Sequence, residues 1–386
     1  MNTRLLQLLA CPECAGDRLA LDVLRQQAGD IVEGVLTCAA CSRRFPVIGG
    51  VPRLLPDALI GVLPQYHPTF FARYQMALPT HPQRDAVART LRFYSFARPK
   101  LFSPALEPGL LTYWRRSLRT RIPALTHLSG RLGLDAGCGE GRYTYCLADE
   151  GAEVVGLDVS GAVNQAYRRN RTNPRVHIVQ GSIYQPPLRR GIFDFVMSTG
   201  VLHHLPDPEG GFDALVPLLH AGGAMHVWVY GLRRMSLVYR FSHLTLLHRL
   251  LGRLSSRASY LVSMPLALAL HFLVLQPVHA LGHTPLRARI HPQLRELAAL
   301  PFKMHLVEVH DRIGVPVTQF LTEQELRGWY ERAGLTAIGV VQTGGGRGWS
   351  AWGMVPAGAH AHGIGGATAV NATSPSASIE RLHMHG

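Results

Sequence analysis

The chain has 386 residues, a length that predicts two or three domains rather than one small core. Hydrophobic residues make up 47% and charged residues 17%, a balance that excludes an intrinsically disordered chain. The formal net charge of +14 is compatible with a nucleic-acid partner or an anionic membrane. The basic residues are nearly all arginine and are scattered along the chain, however, so a coding bias explains the charge equally well.

The first residues partly resemble an export signal. Leu8-Leu9-Ala10-Cys11 resembles a lipoprotein cleavage box. The apolar run from Leu5 to Ala10 is shorter than the roughly 7–15 residues of a signal's hydrophobic region. We therefore expect no export signal, a cytoplasmic location and a reducing compartment without disulfides.

Four of the six cysteines form two CxxC pairs near the start of the chain. The pairs are Cys11-Pro12-Glu13-Cys14 and Cys38-Ala39-Ala40-Cys41. Each pair lets two thiolates reach one metal ion from a tight turn, and two pairs complete a tetrahedral site. Such a site has no open position for water, so we predict a structural zinc ion held by Cys11, Cys14, Cys38 and Cys41. Four unrelated thiols, or a redox-active pair, are the alternatives.

The sequence around these cysteines resembles the Trm112-like zinc domain. The resemblance includes Leu5 to Cys14, Cys38 to Cys41, Phe45-Pro46-Val47 and Gly50 to Pro56, and it covers nearly all of residues 1–56. Free-standing members of that family are partners of methyltransferases, including ones that act on tRNA and translation factors. The resemblance therefore implies a stabilising or docking module joined in cis, with no chemistry of its own.

Patterns of composition and periodicity divide the whole chain into five parts. Short apolar runs alternate with helix-like stretches at 128–231, as in a βαβ series. The residues from 357 onward are too poor in apolar side chains to fold. The predicted parts are a zinc-binding domain at 1–58, a helical linker or lid at 59–127, an α/β core at 128–231 and 319–356, a helical insertion that caps the substrate at 232–318, and a disordered tail at 357–386. In the last core segment, Thr322 with Glu325 three residues later predicts a capping box, and Gly334 is the predicted C′ residue of that helix.

A glycine loop opens the α/β part. The strand Leu132–Asp135 leads into Asp135-Ala136-Gly137-Cys138-Gly139-Glu140-Gly141, and a helix follows from about Gly141 to Glu150. Glycines let the backbone bend sharply and approach a ligand closely. A second strand, Glu153–Leu157, ends at Asp158, whose carboxylate can accept both hydroxyls of a ribose.

The loop must be distinguished from a nicotinamide site. Its spacing is GxGxG, since the third glycine of a GxGxxG motif would fall at Arg142. Asp135 lies two residues before the first glycine, where a negative charge would repel a pyrophosphate. A carboxylate there suits a ligand with an ammonium group, such as the methionyl part of S-adenosylmethionine. We therefore predict S-adenosylmethionine as the cofactor.

The surrounding sequence resembles class I methyltransferases of the small-molecule type. The resemblance includes Leu134 to Gly141, Val155 to Ser160, Phe193 to Val196 and Gly200 to Pro208. It implies an α/β fold, with a doubly wound, seven-stranded Rossmann-like sheet and an antiparallel last strand. The residues it assigns to the cofactor are Asp135, Gly137, Cys138, Gly139, Gly141, Asp158, Val159, Ser182, Ile183 and Thr199. Ser182 stands where the family usually has an acid, so we expect weaker cofactor binding.

Two histidines follow the fourth core strand, where the acceptor should meet the methyl group. One hypothesis makes His203 or His204 the general base for an oxygen or an activated carbon. The alternative is that His204 only bonds loop backbone and shapes the pocket. A catalytic metal is doubtful, since His203 occupies the place where some quinone O-methyltransferases carry an acid. Ser198-Thr199-Gly200 lacks the Asn/Asp-Pro-Pro-aromatic motif of nucleobase N-methylation.

The acceptor is the least determined feature of the sequence. Apolar residues and arginines in the helical parts favour a small hydrophobic, lipid-linked or glycan-linked acceptor. Methylation of tRNA or of a translation protein is the alternative, and a non-catalytic cofactor-binding scaffold is a second. Tyr260–Gln276 is apolar but shorter than the roughly 20 residues that span a bilayer, so we expect a buried helix. An interfacial membrane helix is the alternative there, and the oligomeric state is open.

Overall fold

The structure of the protein, a computed structural model, describes residues 1–79, 91–96, 108–231, 254–282, 284–290, 292–343 and 348–358. Nearly all of the tail predicted from residue 357 therefore lies outside the described residues. So do parts of the predicted linker and of the predicted insertion.

Within the described residues, eleven strands join in one sheet. They are β1 (Leu19–Gln27), β2 (Asp30–Cys38), β3 (Arg44–Ile48), β4 (Val51–Leu54), β5 (Leu132–Ala136), β6 (Glu153–Asp158), β7 (Val176–Gly181), β8 (Phe193–Thr199), β9 (Leu219–Tyr230), β10 (Thr336–Thr343) and β11 (Gly348–Met354). Their order across the sheet is β1-β2-β3-β4-β7-β6-β5-β8-β9-β11-β10.

Strands β5 to β11 form the predicted doubly wound core. β5 to β9 are parallel, and β11 runs antiparallel between β9 and β10. The central strands are almost wholly buried because helices cover both faces of a parallel sheet. The predicted fold class, with its antiparallel last strand, is confirmed. The strand order reverses at β5, where ligands bind in such sheets.

The sheet is larger than the seven strands predicted, because the N-terminal ribbon continues it. β1, β2, β3 and β4 are antiparallel neighbours, and β4 pairs in parallel with β7 at Arg53↔Gln180 and Leu54↔Gly181. The ribbon thereby covers the edge of β7 that would otherwise expose unpaired backbone groups. One hydrophobic cluster runs through both parts, from Leu9 and Leu55 to Leu157.

Helices lie before, between and after the core strands. They are α1 (Asp57–Ile60), α2 (Leu63–Tyr66), α3 (Pro68–Tyr74), α4 (Pro108–Arg121), α5 (Arg142–Asp149), α6 (Val163–Asn170), α7 (Pro208–Leu215), α8 (Ser256–Ala269), α9 (Gln276–Leu281), α10 (Pro292–Ala298), α11 (Phe302–Gly314) and α12 (Glu323–Arg332). A π-helical turn, Leu270–Leu275, joins α8 to α9, and 3₁₀ turns occur at Thr3–Gln7, Leu202–His204, Val216–Leu218 and Pro285–Arg289.

The last core helix begins and ends as the sequence predicts. Thr322 accepts the backbone N–H of Glu325, whose carboxylate accepts in return from the backbone of Thr322, so the capping box is confirmed. The helix is followed by Gly334, whose φ of +70° is the left-handed conformation of a C′ glycine.

The expectation of a buried helix at Tyr260–Gln276 is wrong. This segment belongs to a continuous helical stretch, Ser256–Leu281, which packs on α11 along one face. Its most apolar 18-residue window has a mean hydropathy of 1.9 and is only 28% buried. By length and composition alone, this is the stretch within the described residues that could cross a membrane.

Candidate functional site

A cleft opens at the carboxyl ends of β5 to β8, where the strand order reverses. Its free space, counting the part open to solvent, is about 880 Å³. Nine of the predicted site residues are in its wall, namely Gly137, Cys138, Gly139, Asp158, Val159, Ser182, Ile183, Thr199 and His204. Asp135, Gly141 and His203 are not in the wall.

The glycine loop forms the floor of this cleft. Gly137 has a φ of +86°, and a Cβ there would come within 2.4 Å of the Val201 side chain. Gly139 has a φ of +54°, but a Cβ there would meet nothing within 4 Å. Gly137 is therefore required for packing, whereas Gly139 leaves space for a ligand to approach the backbone.

Asp158 connects the end of β6 to the glycine loop. Its Oδ2 accepts the backbone N–H of Gly139 at 2.9 Å, and its Oδ1 accepts the N–H and the hydroxyl of Ser160 at 2.8 and 2.7 Å. These bonds fix the carboxylate at the cleft wall. An orientation of this kind suits recognition of a ribose diol, the role predicted for Asp158.

Asp135 lies beneath the loop rather than in the cleft wall. Its side chain is fully buried, and its Oδ2 accepts the hydroxyl of Thr144 at 2.7 Å. Burial raises the pKa of Asp135 to about 7, although the bond from Thr144 opposes the shift. A cationic ligand at the loop would reverse this shift by favouring the carboxylate. The predicted contact with an ammonium group stays a prediction.

The cleft wall also includes the two residues predicted to flank an adenine ring. Ser182 and Ile183 lie in the wall directly after β7, and Ser182 Oγ accepts the backbone N–H of Tyr184 at 3.2 Å. Thr199 Oγ1 is buried at the end of β8 without a hydrogen-bond partner among the described residues. A buried hydroxyl of this kind calls for a ligand or water partner, so the cleft fits a polar cofactor.

The two predicted catalytic histidines occupy different environments. His204 is in the cleft wall, and its Nδ1 lies 2.9 Å from the Val317 carbonyl oxygen, which makes Nδ1–H the donor and Nε2 the basic nitrogen. His203 is fully buried behind it and stacks on Tyr230 with ring centroids 4.0 Å apart. Burial, and to a smaller extent the nearby His204 and Arg121, lowers the pKa of His203 well below its usual value. His203 is therefore placed to support His204 and does not line the cleft.

Several cleft residues were not predicted from the sequence. Tyr94 was missed because it is far away in the chain, whereas the other eight lie within two residues of a predicted one. The unpredicted wall residues include Tyr94, Glu140, Arg142, Tyr143, Ser160, Tyr184, Gly200, Val201 and Leu205. Arg142 follows the last glycine directly and pairs with Glu140 at 3.4 Å, so a search of the residues flanking the loop could have found both.

The four N-terminal cysteines come together in the ribbon. Their Sγ atoms all lie within 4.8 Å of one another, and the Cys11–Cys41 and Cys14–Cys38 pairs are each 3.6 Å apart. A tetrahedral site with Zn–S bonds of about 2.3 Å needs sulfur atoms about 3.8 Å apart, so the geometry fits zinc. Burial raises the pKa of Cys38, but backbone N–H groups of Cys41 and Ala40 outweigh it and lower the pKa to about 7. This cluster is compatible with the predicted structural zinc.

The other two cysteines have the environment of inert core residues. Cys138 lies in the cleft wall and Cys146 is wholly buried in α5. Burial raises the pKa of Cys138 well above its usual value and that of Cys146 to about 12. Neither thiol has the electropositive surroundings of a nucleophile.

Comparison with known families agrees with both halves of this description. The family described as "Methyltransferase domain" matches residues 134–227, and the family described as "Trm112p-like protein" matches residues 2–50. The first match contains the glycine loop, Asp158 and both histidines. The second contains all four clustered cysteines.

Curated relatives are similar to the chain over its central part. An uncharacterized protein of Synechococcus sp. is 39% identical over 38% of this chain and 37% of its own length. A ubiquinone biosynthesis O-methyltransferase of Alkalilimnicola ehrlichii is 35% identical over 30% of this chain and 47% of its own length. A tRNA U34 carboxymethyltransferase of Geobacter sp. is 32% identical over 30% of this chain and 37% of its own length. The chain thus spans less than half the length of these relatives.

Proposed function

We propose that this chain, in which a methyltransferase domain is joined to a Trm112-like domain, transfers a methyl group from S-adenosylmethionine to a small acceptor. The methylated atom is an oxygen or a carbon, and the acceptor carries an apolar part. The observation that supports the proposal is the single cleft in which Gly139, Asp158, Ser182 and His204 meet at the carboxyl ends of four parallel strands. The cofactor supplies an electrophilic methyl group on a sulfonium centre.

Different residues around the cleft hold different parts of this cofactor. The open backbone at Gly139 accommodates the methionyl end, with Asp135 contributing negative charge from beneath the loop. Asp158 accepts from the ribose hydroxyls, and its bonds to Gly139 and Ser160 keep it oriented. Ser182 and Ile183 flank the adenine ring, where a hydroxyl binds the exocyclic amine more weakly than a carboxylate would.

His204 is the residue that we assign to the acceptor. The Val317 carbonyl holds its Nδ1–H, and this tautomer directs basicity to Nε2 in a wall of the cleft. Nε2 can accept the proton of a hydroxyl or an acidic carbon as the nucleophile attacks the methyl group. The stacked rings of His203 and Tyr230 lie against His204, at centroid distances of 4.1 and 5.7 Å, and limit its movement.

Aromatic and aliphatic side chains form much of the rest of the cleft wall. Tyr94, Tyr143, Val201 and Leu205 contribute to it, beside the paired charges of Glu140 and Arg142. A wall of this kind binds an apolar acceptor and orients it for in-line displacement, where alignment supplies much of the rate. This favours a hydrophobic small molecule over a strongly charged one.

The proposal is tested by cofactor binding followed by a search for the acceptor. Calorimetric titration of the zinc-loaded protein with S-adenosylmethionine should show binding, and Asp158→Asn should weaken it at least about tenfold. Labelled methyl groups are then supplied with a cell extract that is fractionated into lipids, small molecules, RNA and protein. We expect label in the lipid or small-molecule fraction. Absence of binding to the intact protein would refute the enzyme assignment, and binding without transfer to any fraction would favour a cofactor-binding scaffold.

Methylation of tRNA or of a translation protein is the second candidate. The Trm112-like domain and the net charge of +14 favour it, as does similarity to an enzyme named for tRNA U34. This candidate predicts label in the RNA or protein fraction. For RNA it also predicts binding that weakens steeply with salt. Label confined to those fractions would replace the first proposal with this one.

A further inference from the structure

The helical stretch Ser256–Leu281 turns its more polar face toward the protein, whereas a surface helix in water normally buries its apolar face. Ser259, Ser263, Ala267, His271 and Leu275 follow one another at four-residue spacing, and all five are buried. Helical geometry places residues at this spacing on one face. The face turned toward the protein is therefore small or polar from Ser259 to His271 and becomes apolar only at Leu275.

Part of this polar face is bonded to α11, whereas Ser259 Oγ is buried without a hydrogen-bond partner among the described residues. Ser263 Oγ donates to the carbonyl of Ser259 at 2.7 Å and lies 3.2 Å from His310 Nδ1. His271 Nδ1 lies 2.9 Å from Nδ1 of His305. Because these groups find partners inside the protein, the stretch is fastened in the orientation described.

The outward face is made of large apolar side chains, and we call it the apolar face. Leu261 is 70% exposed, Phe272 62% and Leu273 76%, and Leu266 and Leu268 are exposed beside them. A helix on a protein surface in water normally turns its apolar side inward. A contiguous exposed apolar surface of this kind marks an interaction site.

The sequence segments that flank the apolar face carry charge of one sign. No Asp or Glu occurs in the sequence between Asp213 and Glu296. The same interval contains the arginines Arg233, Arg234, Arg240, Arg249, Arg253, Arg257, Arg287, Arg289 and Arg295. Of these, Arg257 and Arg289 are described as exposed, one in the first turn of the stretch and one beyond its end. Arginines of this arrangement complement anionic lipid headgroups.

We propose that the apolar face docks the protein on the surface of an anionic lipid bilayer. The helical stretch lies in the plane of the interface, with Leu261, Phe272 and Leu273 in the acyl boundary and the flanking arginines among the headgroups. A spanning orientation is excluded by the partner helix. α11 packs along the stretch and carries Lys303, Glu308 and Asp311, which would have to enter the hydrocarbon with it.

The partner helix α11 contacts a segment that also contributes to the cleft wall. Phe93 stacks on His310 of α11 with ring centroids 4.7 Å apart, and the adjacent Tyr94 is in the cleft wall. Docking thus brings the cleft close to the bilayer surface. In combination with the proposed function, on which this step rests, it identifies the acceptor as an amphipathic lipid. Docking itself does not depend on methyl transfer.

Vesicle flotation of the full chain tests the docking. The protein is mixed with phosphatidylcholine vesicles, with or without phosphatidylglycerol, and separated on a density gradient. We expect flotation with the anionic vesicles and little with neutral ones. The double variant Phe272→Asp/Leu273→Asp should lower the floated fraction by about tenfold or more, and Arg257→Glu should lower it on anionic vesicles alone.

The matched control is Val23→Asp/Val341→Asp, which places the same charges at exposed apolar residues of β1 and β10. This variant should float like the unaltered protein. Calorimetric binding of S-adenosylmethionine shows that the altered chains are folded. Failure of the unaltered protein to float, or undiminished flotation of the Phe272/Leu273 variant, would overturn the proposal. Self-association that the same variant abolishes, without vesicle binding, would reassign the face to a second copy of the chain.

Discussion

Arg53 of the zinc-binding ribbon donates a hydrogen bond of 2.9 Å to Gln180 of the α/β core. Its guanidinium is completely buried and also donates to the Ile48 carbonyl and to Asn164 Oδ1. Gln180 in turn donates to the carbonyl of Val159, a residue of the cleft wall. The ribbon is thereby connected to the proposed cofactor site through two side chains.

Replacing Arg53 should weaken both the fold and the cofactor site. Arg53→Leu leaves Gln180, Asn164 and the Ile48 carbonyl without their donor, so we expect a loss of about 3 kcal/mol in the free energy of unfolding. S-adenosylmethionine should also bind more weakly, since Gln180 loses its orientation. Denaturant unfolding and calorimetry measure the two effects. Arg44→Leu, at an exposed position of β3, is the control and should change neither.

Removing one cysteine of the cluster should release the metal and destabilise the ribbon. Cys14→Ser breaks the set of four sulfur ligands, so we expect the zinc content of the purified protein to fall from about one ion per chain toward none, together with its melting temperature. Cys146→Ala alters a buried thiol outside the cluster and should keep the zinc. Full zinc content in Cys14→Ser would contradict the assignment of the site.

Asp158→Asn should reduce cofactor affinity without unfolding the protein. The amide keeps one oxygen acceptor but places an NH₂ group toward one of the N–H donors of Gly139 and Ser160. We expect binding at least about tenfold weaker, equivalent to about 1.4 kcal/mol. Asp149→Asn, at the exposed C-terminal end of α5, provides the comparison. Equal affinity in the two variants would remove Asp158 from the site.

His204→Asn should reduce turnover more than cofactor binding. If Nε2 accepts the acceptor's proton, kcat falls by about 10²- to 10⁴-fold while the affinity for S-adenosylmethionine is kept. His127→Asn, at an exposed loop position, serves as the control. A variant with normal kcat but raised KM would leave His204 a role in shaping the pocket only.

The free energy of unfolding should depend on pH because Asp135 titrates differently in the folded and unfolded chain. Burial raises the pKa of this carboxyl from 3.8 to about 7 in the folded chain. Between these two pH values the folded state holds a proton that the unfolded state has lost, so the free energy of unfolding falls as pH rises and levels off above about 7. Asp135→Asn should remove this contribution, about 4 kcal/mol over the interval. Urea unfolding of both proteins at pH 4 to 8, without cofactor, measures the difference.

Local patterns in the sequence were sufficient for several features. The doubled CxxC spacing predicted a cluster of four thiols, and the glycine loop with Asp158 predicted most of the cleft wall. The capping box at Thr322 and Glu325 was correct to the residue. These features depend on residues close together in the chain, or on strand ends that parallel topology brings to one edge.

Contacts between distant segments were not predictable in the same way. The ribbon's addition to the core sheet depends on the edge of β7 being open to β4, and the sequence of either strand alone does not specify its neighbour. His203 and His204 are adjacent in sequence, yet a turn places one in the cleft wall and the other in the core. The apolar stretch at 256–281 contains the segment wrongly predicted to be a buried helix. That prediction was based on composition, which does not say which face of a helix its partner covers.

The sequence by itself thus determined the chemistry: four zinc-binding thiols, a cofactor loop and a pair of histidines after the fourth core strand. The tertiary structure decided how these parts are joined and oriented. It linked the ribbon to the cleft through Arg53 and turned the polar side of Ser256–Leu281 inward against α11. The physical reason is that backbone patterns and metal-ligand spacings are local. Burial, sheet edges and the direction of a helix face depend on packing with residues far away in the chain.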